Sequence, residues 1–246
     1  MMWQPHRSLE REHMDDHTPA QAVVDEVYAF LGAITRWLGG ARATLHRFEQ
    51  FSVGWAPGAR ISILDVACGG ADMARALRAW GHARGFDIQV TALDISARTL
   101  DAARRRGEAG DQPRFVRADV HRAPFRDGAF DYVTCAAFFH HLTDDEVERT
   151  LRAFDRMARR GVVVNDLMRR WRLYAWSWLF TRPFNAVLRA DGPLSVRRAF
   201  RPGELAALAE RAGMPWLSIK THFGHRMTLA GERRAHTSSA AQTIPL

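Results

Sequence analysis

The sequence predicts an α/β protein with a parallel sheet that carries helices on both faces. Along residues 61–164, short runs of apolar and β-branched residues alternate with segments whose apolar positions recur at helical spacing. Strands that alternate with helices form βαβ units, and such units build parallel sheets. The length of 246 residues suits one domain with a real hydrophobic core, and 47% hydrophobic and 25% charged residues exclude a disordered or fibrous chain.

The first 58 residues carry helical patterns. Residues 1–19 are polar and lack the apolar core of a secretory signal, so we expect a disordered tail there and a cytoplasmic protein. Apolar residues at helical spacing predict a helix from residue 20, which Gly39 and Gly40 end, and a second helix over Ala41–Phe51. A Pro-Gly turn then separates this N-terminal helical segment, residues 20–58, from the domain over residues 59–230.

The remaining elements follow from the same patterns. The predicted strands are Ile61–Val66, Asp87–Asp94, Arg114–Arg117, Phe130–Cys135, Gly161–Val164, Trp216–Phe223 and Arg226–Ala230. The predicted helices between them are Ala71–Trp80, Ala97–Arg106, Asp144–Arg159 and Pro202–Ala212. Residues 167–200 interrupt the alternation with Trp, Phe and Arg, and we expect them to form a helical cap together with the N-terminal helices. Residues 231–246 are polar, and we expect a second disordered tail.

The net charge of +8 suggests binding to nucleic acid or to an anionic membrane. However, Lys220 is the one lysine among 35 basic residues, and a chain this rich in arginine also reflects coding bias in a GC-rich genome. The two cysteines, Cys68 and Cys135, are too few for a disulfide framework or a zinc cluster, and we expect no metal site.

The strongest functional pattern is the run Ile63–Asp72, in which a strand ends, passes through a turn of small residues and opens a helix. Ligands of open α/β sheets bind at the carboxyl ends of the strands, and small residues allow a ligand to approach the backbone. Glycine turns also serve strand-to-helix geometry alone, so this run is weak evidence by itself. The small residues are Ala67, Gly69, Gly70 and Ala71.

Carboxylates recur at the ends of three successive strands: Asp65, Asp94 and Asp119. At these places Asp94 can accept both ribose hydroxyls of an adenosine, and Asp119 can accept the adenine amino group. Taken singly, each aspartate could instead be a solvated turn residue or a helix N-cap. Asp65 and Asp72 flank the glycine turn and would repel a pyrophosphate, which favours a cationic sulfonium or amine ligand.

Residues 61–142 resemble the class I S-adenosylmethionine-dependent methyltransferases. Leu64–Asp72 is similar to their first motif, Ala92–Ser96 to the strand with the acidic ribose ligand, and Phe125–Asp131 and Phe138–Leu142 to segments around their fourth strand. Ala67 and Ala71 stand where that motif often has glycine. The resemblance implies S-adenosylmethionine as cofactor, S-adenosylhomocysteine as product, and cofactor contacts by Asp65, Ala67, Cys68, Gly69, Gly70, Asp94, Ile95, Asp119, Val120 and Ala136.

The same resemblance implies a Rossmann-like sheet of seven strands, mostly parallel, whose last two strands form an antiparallel hairpin. Three flanking segments, Ile34–Gly40, Val162–Leu167 and Asp191–Phe200, are similar to bacterial small-molecule methyltransferases of polyketide-type pathways and, more distantly, of quinone biosynthesis. We therefore expect O-methylation of a phenolic or polyketide-like acceptor, with C-methylation of a quinol-type precursor as the alternative.

Two other function classes stay open with less support. A nucleic-acid methyltransferase would suit the charge, but residues 135–139 lack the Asn/Asp-Pro-Pro-aromatic turn of exocyclic-amine enzymes, and neither cysteine follows a proline. We therefore expect no nucleic-acid partner. A non-catalytic protein that binds S-adenosylmethionine would share the cofactor motifs and have no acceptor.

His140 and His141 follow the fourth strand, where the acceptor should lie. We expect His140 to be a general base or to orient the acceptor, because histidine titrates near neutral pH. Both histidines could instead only support the turn into the next helix. The aromatic residues of 167–200 would line a site for an aromatic or acyl-bearing acceptor, form the core of the cap, or make weak contact with an anionic membrane.

Overall fold

The seven strands of a computed structural model form one mixed sheet in the order β3-β2-β1-β4-β5-β7-β6. The structure describes residues 6–15, 20–37, 39–107, 112–223 and 225–233. The strands are β1 Arg60–Val66, β2 Asp87–Asp94, β3 Arg114–Arg117, β4 Phe130–Ala136, β5 Ala158–Leu167, β6 Ser218–His222 and β7 Arg226–Glu232. Strands β1 to β5 run parallel, and β7 pairs antiparallel with both β5 and β6. The predicted seven-stranded sheet with its terminal hairpin is therefore confirmed.

Helices lie on both faces of the sheet, and most of their bounds agree with the predicted ones. The helices are α1 Gln21–Trp37, α2 Gly40–Ser52, α3 Asp72–Ala83, α4 Ala97–Arg106, α5 Asp144–Met157, α6 Trp171–Phe180, α7 Ala186–Arg198 and α8 Pro202–Arg211. The predicted bounds of β2, α4 and β3 coincide with the observed ones.

Several predicted bounds differ from the observed ones, and the boundary between α5 and β5 differs most clearly. We expected the helix after β4 to run to Arg159, whereas α5 ends at Met157 and β5 begins at Ala158. Ala158 pairs with Phe130, and the register shifts between Phe130 and Tyr132. The pairing with β4 thus extends β5 back to the last residue of the helix, and no loop separates the two elements.

Alternate residues of the central strands are buried in two hydrophobic layers. Leu64, Val133 and Val162 face the layer that includes α5 and α8, whereas Ile63 and Val163 face the layer beneath α2 and α3. Burial on both sides explains why these strands are continuously apolar in sequence.

The cap combines α1, α6 and α7. The ring of Phe30 in α1 lies 4.6 Å from that of Phe184, centroid to centroid, in the link between α6 and α7. Trp171 and Trp178 of α6 are exposed to solvent, so these two side chains do not form a cap core. Among the residues that the structure describes, no helix has both the length and the hydropathy needed to cross a bilayer.

The N-terminal segment, defined here as residues 6–15, lies against α7, whereas we expected a disordered tail over 1–19. The backbone N–H of Ser8 donates to the carbonyl of Arg197 at 3.0 Å, and the Asp191 carboxylate accepts the N–H groups of His13 and Met14 at 2.9 and 3.0 Å. At the other terminus, residues 231 and 232 belong to β7. The rest of both expected tails, residues 1–5, 16–19 and 234–246, falls outside the described residues.

Candidate active site

The turn between β1 and α3 has a left-handed backbone at three positions. The φ angles of Ala67, Gly69 and Ala71 are 51°, 52° and 58°. Glycine adopts this conformation freely, whereas an alanine is strained there by roughly 1–2 kcal/mol. The N–H of Cys68 donates to the carbonyl of Leu93 at 3.0 Å, and this bond fixes the turn to the end of β2.

The side chain of Tyr28 in α1 covers this turn. A Cβ atom added to Gly69 would lie 2.9 Å from Cε1 of Tyr28, so a larger residue at 69 would displace the ring. The Tyr28 hydroxyl lies 3.2 Å from Oγ1 of Thr99 in α4. Burial raises the pKa of the Tyr28 phenol well above its ordinary value. The N-terminal helical segment is therefore part of the site.

The carboxylate of Asp94 lies at the end of β2, beside the turn. It accepts the backbone N–H groups of Gly69 at 3.2 Å and of Ser96 at 2.9 Å. Burial raises the pKa of Asp94, although hydrogen bonds from backbone N–H groups oppose this effect. This position allows the carboxylate to face a ligand at the carboxyl edge of the sheet.

The two other carboxylates beside the turn differ from our expectation. Asp65 is fully buried, and burial, with the nearby charge of Asp94, raises its pKa to about 7. Asp72 forms ion pairs with Arg75 and Arg106, each at 3.2 Å. Asp65 and Asp72 therefore repel a pyrophosphate less than we expected, because the arginines balance the charge of Asp72 and burial favours neutral Asp65.

A cavity of about 2060 Å³ opens along this edge of the sheet and extends beneath the cap. Most of the predicted site residues line it: Ala67, Cys68, Gly69, Gly70, Asp94, Ile95, Ala136, His140 and His141. Asp65, Asp119 and Val120 are not among the described residues that line the cavity. The carboxylate of Asp119 instead accepts the N–H of His121 at 2.9 Å and caps a short 3-10 turn, and Val120 packs into the core.

His140 is buried and forms two hydrogen bonds with Asp166, at the end of β5. The His140 backbone N–H donates to Oδ2 at 2.9 Å, and Nδ1 lies 2.7 Å from Oδ1. Burial by itself would raise the pKa of Asp166, but the charge and hydrogen bonds of His140 and the N–H of Leu167 lower it overall. Since Nδ1 is engaged, Nε2 is the ring nitrogen of His140 that remains to meet a ligand.

The N-terminal segment brings two carboxylates to the histidine pair. Oε1 of Glu12 lies 3.9 Å from Nε2 of His140, and Oδ1 of Asp15 lies 2.7 Å from Nδ1 of His141. Burial raises the pKa of Glu12 to about 7. The guanidinium of Arg198 donates to the carbonyls of His140 and His141 at 3.0 and 2.7 Å, which fixes this turn against α7.

His46, Lys220 and His222 form another part of the cavity lining. Nζ of Lys220 lies 2.6 Å from Nε2 of His46. Burial, together with the positive charges of His46, Lys220 and Arg47, lowers the pKa of His222 to about 4. His222 is therefore neutral near pH 7.

Comparison with known proteins identifies the central part of the chain. A family model described as a methyltransferase domain matches residues 63–161. Residues 63–161 are a methyltransferase domain. The demethylmenaquinone methyltransferase of Thermotoga maritima is 34% identical to the chain over 98 residues, which are 40% of this chain and 39% of that protein.

Two further similarities extend over more of the chain. The ubiquinone biosynthesis O-methyltransferase of Thiobacillus denitrificans is 28% identical over 180 residues, 69% of this chain and 73% of that protein. The structure of magnesium protoporphyrin IX methyltransferase from Synechocystis PCC 6803 with bound SAH superimposes with a TM-score of 0.54 at 16% identity, covering 80% and 84% of the two chains. The chain spans about two fifths of the length of the T. maritima relative. This similarity therefore concerns the methyltransferase domain and does not identify the acceptor.

Sequence reasoning missed Glu12, Asp15 and Asp166 in the candidate site. The first two lie in a segment that we expected to be disordered, and nothing in the local sequence links them to residues 140–141. Asp166 did carry a signal, because it is a carboxylate near the carboxyl end of a parallel strand, as are Asp65 and Asp94.

Proposed function

We propose that this protein transfers a methyl group from S-adenosylmethionine to a small aromatic acceptor of the quinol type. One observation carries the proposal: His140, which the buried carboxylate of Asp166 holds, lines the same cavity as the turn at Gly69 and the carboxylate of Asp94. A group able to orient or deprotonate an acceptor thus lies in one cavity with the cofactor motif.

In this proposal Asp94 accepts the ribose hydroxyls, and the turn at Gly69 and Gly70 allows close approach of the cofactor. Ile95 and Ala136 add contacts along the strand ends. The Asp119 carboxylate caps the 3-10 turn. To contact the adenine amino group it must either accept both hydrogen bonds or give up the cap. The remaining members of the predicted cofactor set are Asp65, Ala67, Cys68 and Val120.

Methyl transfer is an in-line displacement that requires the acceptor atom about 3–3.5 Å from the methyl carbon. His140 suits an acceptor hydroxyl, because Asp166 holds Nδ1 and directs Nε2 outward. Ionisation of a quinol hydroxyl raises electron density on the neighbouring ring carbon. That carbon attacks the methyl group, the sulfur keeps the electron pair of the broken S–C bond, and the ring carbon then loses its proton.

Methylation at carbon is supported by the relatives better than the O-methylation that we expected first. The demethylmenaquinone methyltransferase has the higher identity, and quinol C-methylation is the alternative that the sequence left open. O-methylation stays the second candidate, because the similarity to a ubiquinone biosynthesis O-methyltransferase covers more of the chain.

The first test is thermal stability with S-adenosylmethionine, S-adenosylhomocysteine or NAD added separately. A ligand at a hundredfold excess over its Kd stabilises the folded state by about 2.7 kcal/mol. We expect the first two ligands to raise the Tm and NAD to leave it unchanged; a shift with NAD alone would contradict the cofactor assignment. Incubation with methyl-labelled cofactor and a substituted hydroquinone, followed by NMR of the product, then shows whether carbon or oxygen receives the methyl group.

A further inference from the structure

Glu12, His140 and His141 form a cluster of metal-ligating side chains, of which the proposed methyl transfer uses His140. One ligand atom of each lies within 4.8 Å of those of the other two. Glu12 and His140 are buried, and His141 is partly buried. The three side chains come from two distant parts of the sequence, so the packing of the N-terminal segment against α7 creates the cluster.

One oxygen of the Glu12 carboxylate lies in this cluster without a hydrogen-bond partner among the described residues. This atom, Oε1, is buried. The nearest charged groups are Nε of Arg198 at 3.7 Å and Nε2 of His140 at 3.9 Å, both beyond hydrogen-bond distance. A buried carboxylate oxygen without a partner is costly, and a ligated cation would satisfy it.

Both imidazoles carry the carboxylate partner that metal-binding histidines usually have. Asp166 holds Nδ1 of His140 at 2.7 Å, and Asp15 holds Nδ1 of His141 at 2.7 Å. In carboxylate–histidine–metal arrangements the carboxylate fixes the orientation of the ring and leaves the other nitrogen for the ion. His140 therefore offers Nε2 to an ion. The nitrogen of His141 that faces Glu12 is Nδ1, 4.0 Å from Oε2 of Glu12, so an ion would compete with Asp15 for it.

The local charge also favours a cation. The carboxylates of Glu12, Asp15 and Asp166 contact the two imidazoles, whereas the guanidinium that contacts these carboxylates is that of Arg198. Most of the Arg198 donors are engaged, because they bind the carbonyls of His140 and His141 and contact Asp15. Three carboxyl groups thus lie against the two imidazoles and one arginine, and a divalent ion would add positive charge beside them.

We propose that Glu12, His140 and His141 bind a divalent transition-metal ion, which takes the hydroxyl oxygen of the acceptor as a further ligand. Two imidazoles and one carboxylate suit Zn²⁺, Mn²⁺, Fe²⁺ or Co²⁺ better than Mg²⁺ or Ca²⁺, which take oxygen ligands. Three protein ligands leave positions open for a substrate. Ligand atoms around a bound zinc lie roughly 3.3 Å apart, so the cluster contracts by about 1 Å on binding.

The role of the ion in the acceptor step rests on the proposed methyl transfer, whereas the binding of the ion does not. With the ion bound, Nε2 of His140 is a ligand and no longer accepts the acceptor's proton. A hydroxyl oxygen that binds the ion instead loses its proton to solvent more easily. The resulting oxyanion then directs the methyl group to itself or to the adjacent ring carbon. The ion stays divalent throughout, so no oxidant or reductant is needed.

Titration of chelator-treated, tag-free protein with Co²⁺ or Zn²⁺ tests the site. We expect one ion per chain by calorimetry and, with Co²⁺, visible absorption typical of nitrogen and oxygen ligands. The Glu12→Gln variant keeps the size of the side chain and should bind Co²⁺ at least about tenfold more weakly. The matched control is Glu10→Gln, in the same segment but with an exposed side chain that pairs with Arg197, and it should bind as the wild type does.

Three outcomes would overturn the proposal: no Co²⁺ binding by the wild type at millimolar concentration, equal affinities of the two variants, or a Co²⁺ spectrum without histidine ligands. The spectrum uses the wild-type protein, so it decides even if Glu12→Gln does not fold. Thermal stabilisation by S-adenosylmethionine is measured in parallel. Stabilisation without Co²⁺ binding rejects the metal site alone, whereas Co²⁺ binding without stabilisation rejects the proposed function alone.

Discussion

Asp166, near the carboxyl end of β5, holds His140 by two hydrogen bonds, one to the backbone N–H at 2.9 Å and one to the ring Nδ1 at 2.7 Å. The first bond fixes the turn after β4, and the second fixes the ring within it. Sheet order explains the contact, because β4 and β5 are neighbours and their carboxyl ends meet at one edge.

The Asp166→Asn variant tests this relationship. An amide can replace the carboxylate in size, but its NH₂ group would donate to Nδ1 and place the ring proton on Nε2. Nε2 could then no longer accept a proton, and we expect kcat to fall by about 10²- to 10⁴-fold. The Kd for S-adenosylmethionine should stay within about threefold. Asp145→Asn, at an exposed position of α5, is the control; equal kcat values for the two variants would contradict the prediction.

Asp65 should make stability depend on pH. Its pKa is about 7 in the folded protein and about 3.9 in an unfolded chain. Between these values the folded state holds one more proton, so the contribution of Asp65 to the free energy of unfolding decreases as the pH rises from about 4 to 7 and is constant above. Asp65→Asn removes this dependence. Denaturant unfolding should show the free energy of unfolding of the variant, relative to the wild type, to be higher at pH 8 than at pH 5 by on the order of a few kcal/mol.

Asp87 provides the matched control for that experiment. Arg60 and Gln89 lower the pKa of Asp87, so its contribution is present above its unfolded pKa and is lost as the pH falls. Asp87→Asn should therefore show no gain between pH 5 and pH 8. If Asp65→Asn responds to pH in the same way as Asp87→Asn, the carboxyl of Asp65 is ionised in the folded protein.

The contact between Gly69 and Tyr28 gives a prediction with a matched control. Gly58 and Gly69 have φ angles of 70° and 52°, but a Cβ atom at Gly58 would meet nothing within 4 Å. Gly58→Ala should therefore cost only backbone strain, roughly 1–2 kcal/mol. Gly69→Ala should cost more and also weaken S-adenosylmethionine binding, because the ring of Tyr28 must move. Denaturant unfolding and calorimetry measure both effects, and equal stability losses would exclude the steric contact.

Phe48 of α2 should be a major contributor to stability. Its side chain is fully buried against the rings of Trp80 and Tyr132. Replacement of a buried phenylalanine by alanine destabilises by about 3–5 kcal/mol, so Phe48→Ala should lower the denaturation midpoint strongly. Phe223→Ala is the control, because Phe223 is 97% exposed and its loss should change stability by less than about 0.5 kcal/mol. Similar midpoints would mean that α2 does not belong to the core.

Most of the fold could be predicted from the sequence because its signals are local. The runs 87–94 and 114–117 gave strands at the observed positions, since buried parallel strands are apolar throughout. The start of β5 was missed because its first residues, Ala158 to Arg160, are small or charged, and their strand conformation depends on pairing with β4.

The site residues also fall into two groups: those that a local sequence pattern predicts, and those that depend on contacts between distant parts of the chain. The turn at 67–71 and Asp94 belong to one local pattern, and the structure brings them to the cavity. Asp119 could not be assigned from its position alone, because the same place after a strand suits a ligand contact or an N-cap, and the structure shows the N-cap. Glu12 and Asp15 depend on contacts across more than 120 residues, for which the single sequence carries no periodic signal.

Residues 6–15 lie at the acceptor end of the site, and this end is therefore built partly by a segment that does not belong to the sheet. This segment contacts the cap and the turn at 140–141 but contributes no strand to the sheet. Deletion of residues 1–15 should therefore leave a folded protein that still binds its cofactor, with an open rather than a closed acceptor end. In related proteins this short stretch could change freely and alter which acceptor is used, while the strands and the cofactor turn stay the same.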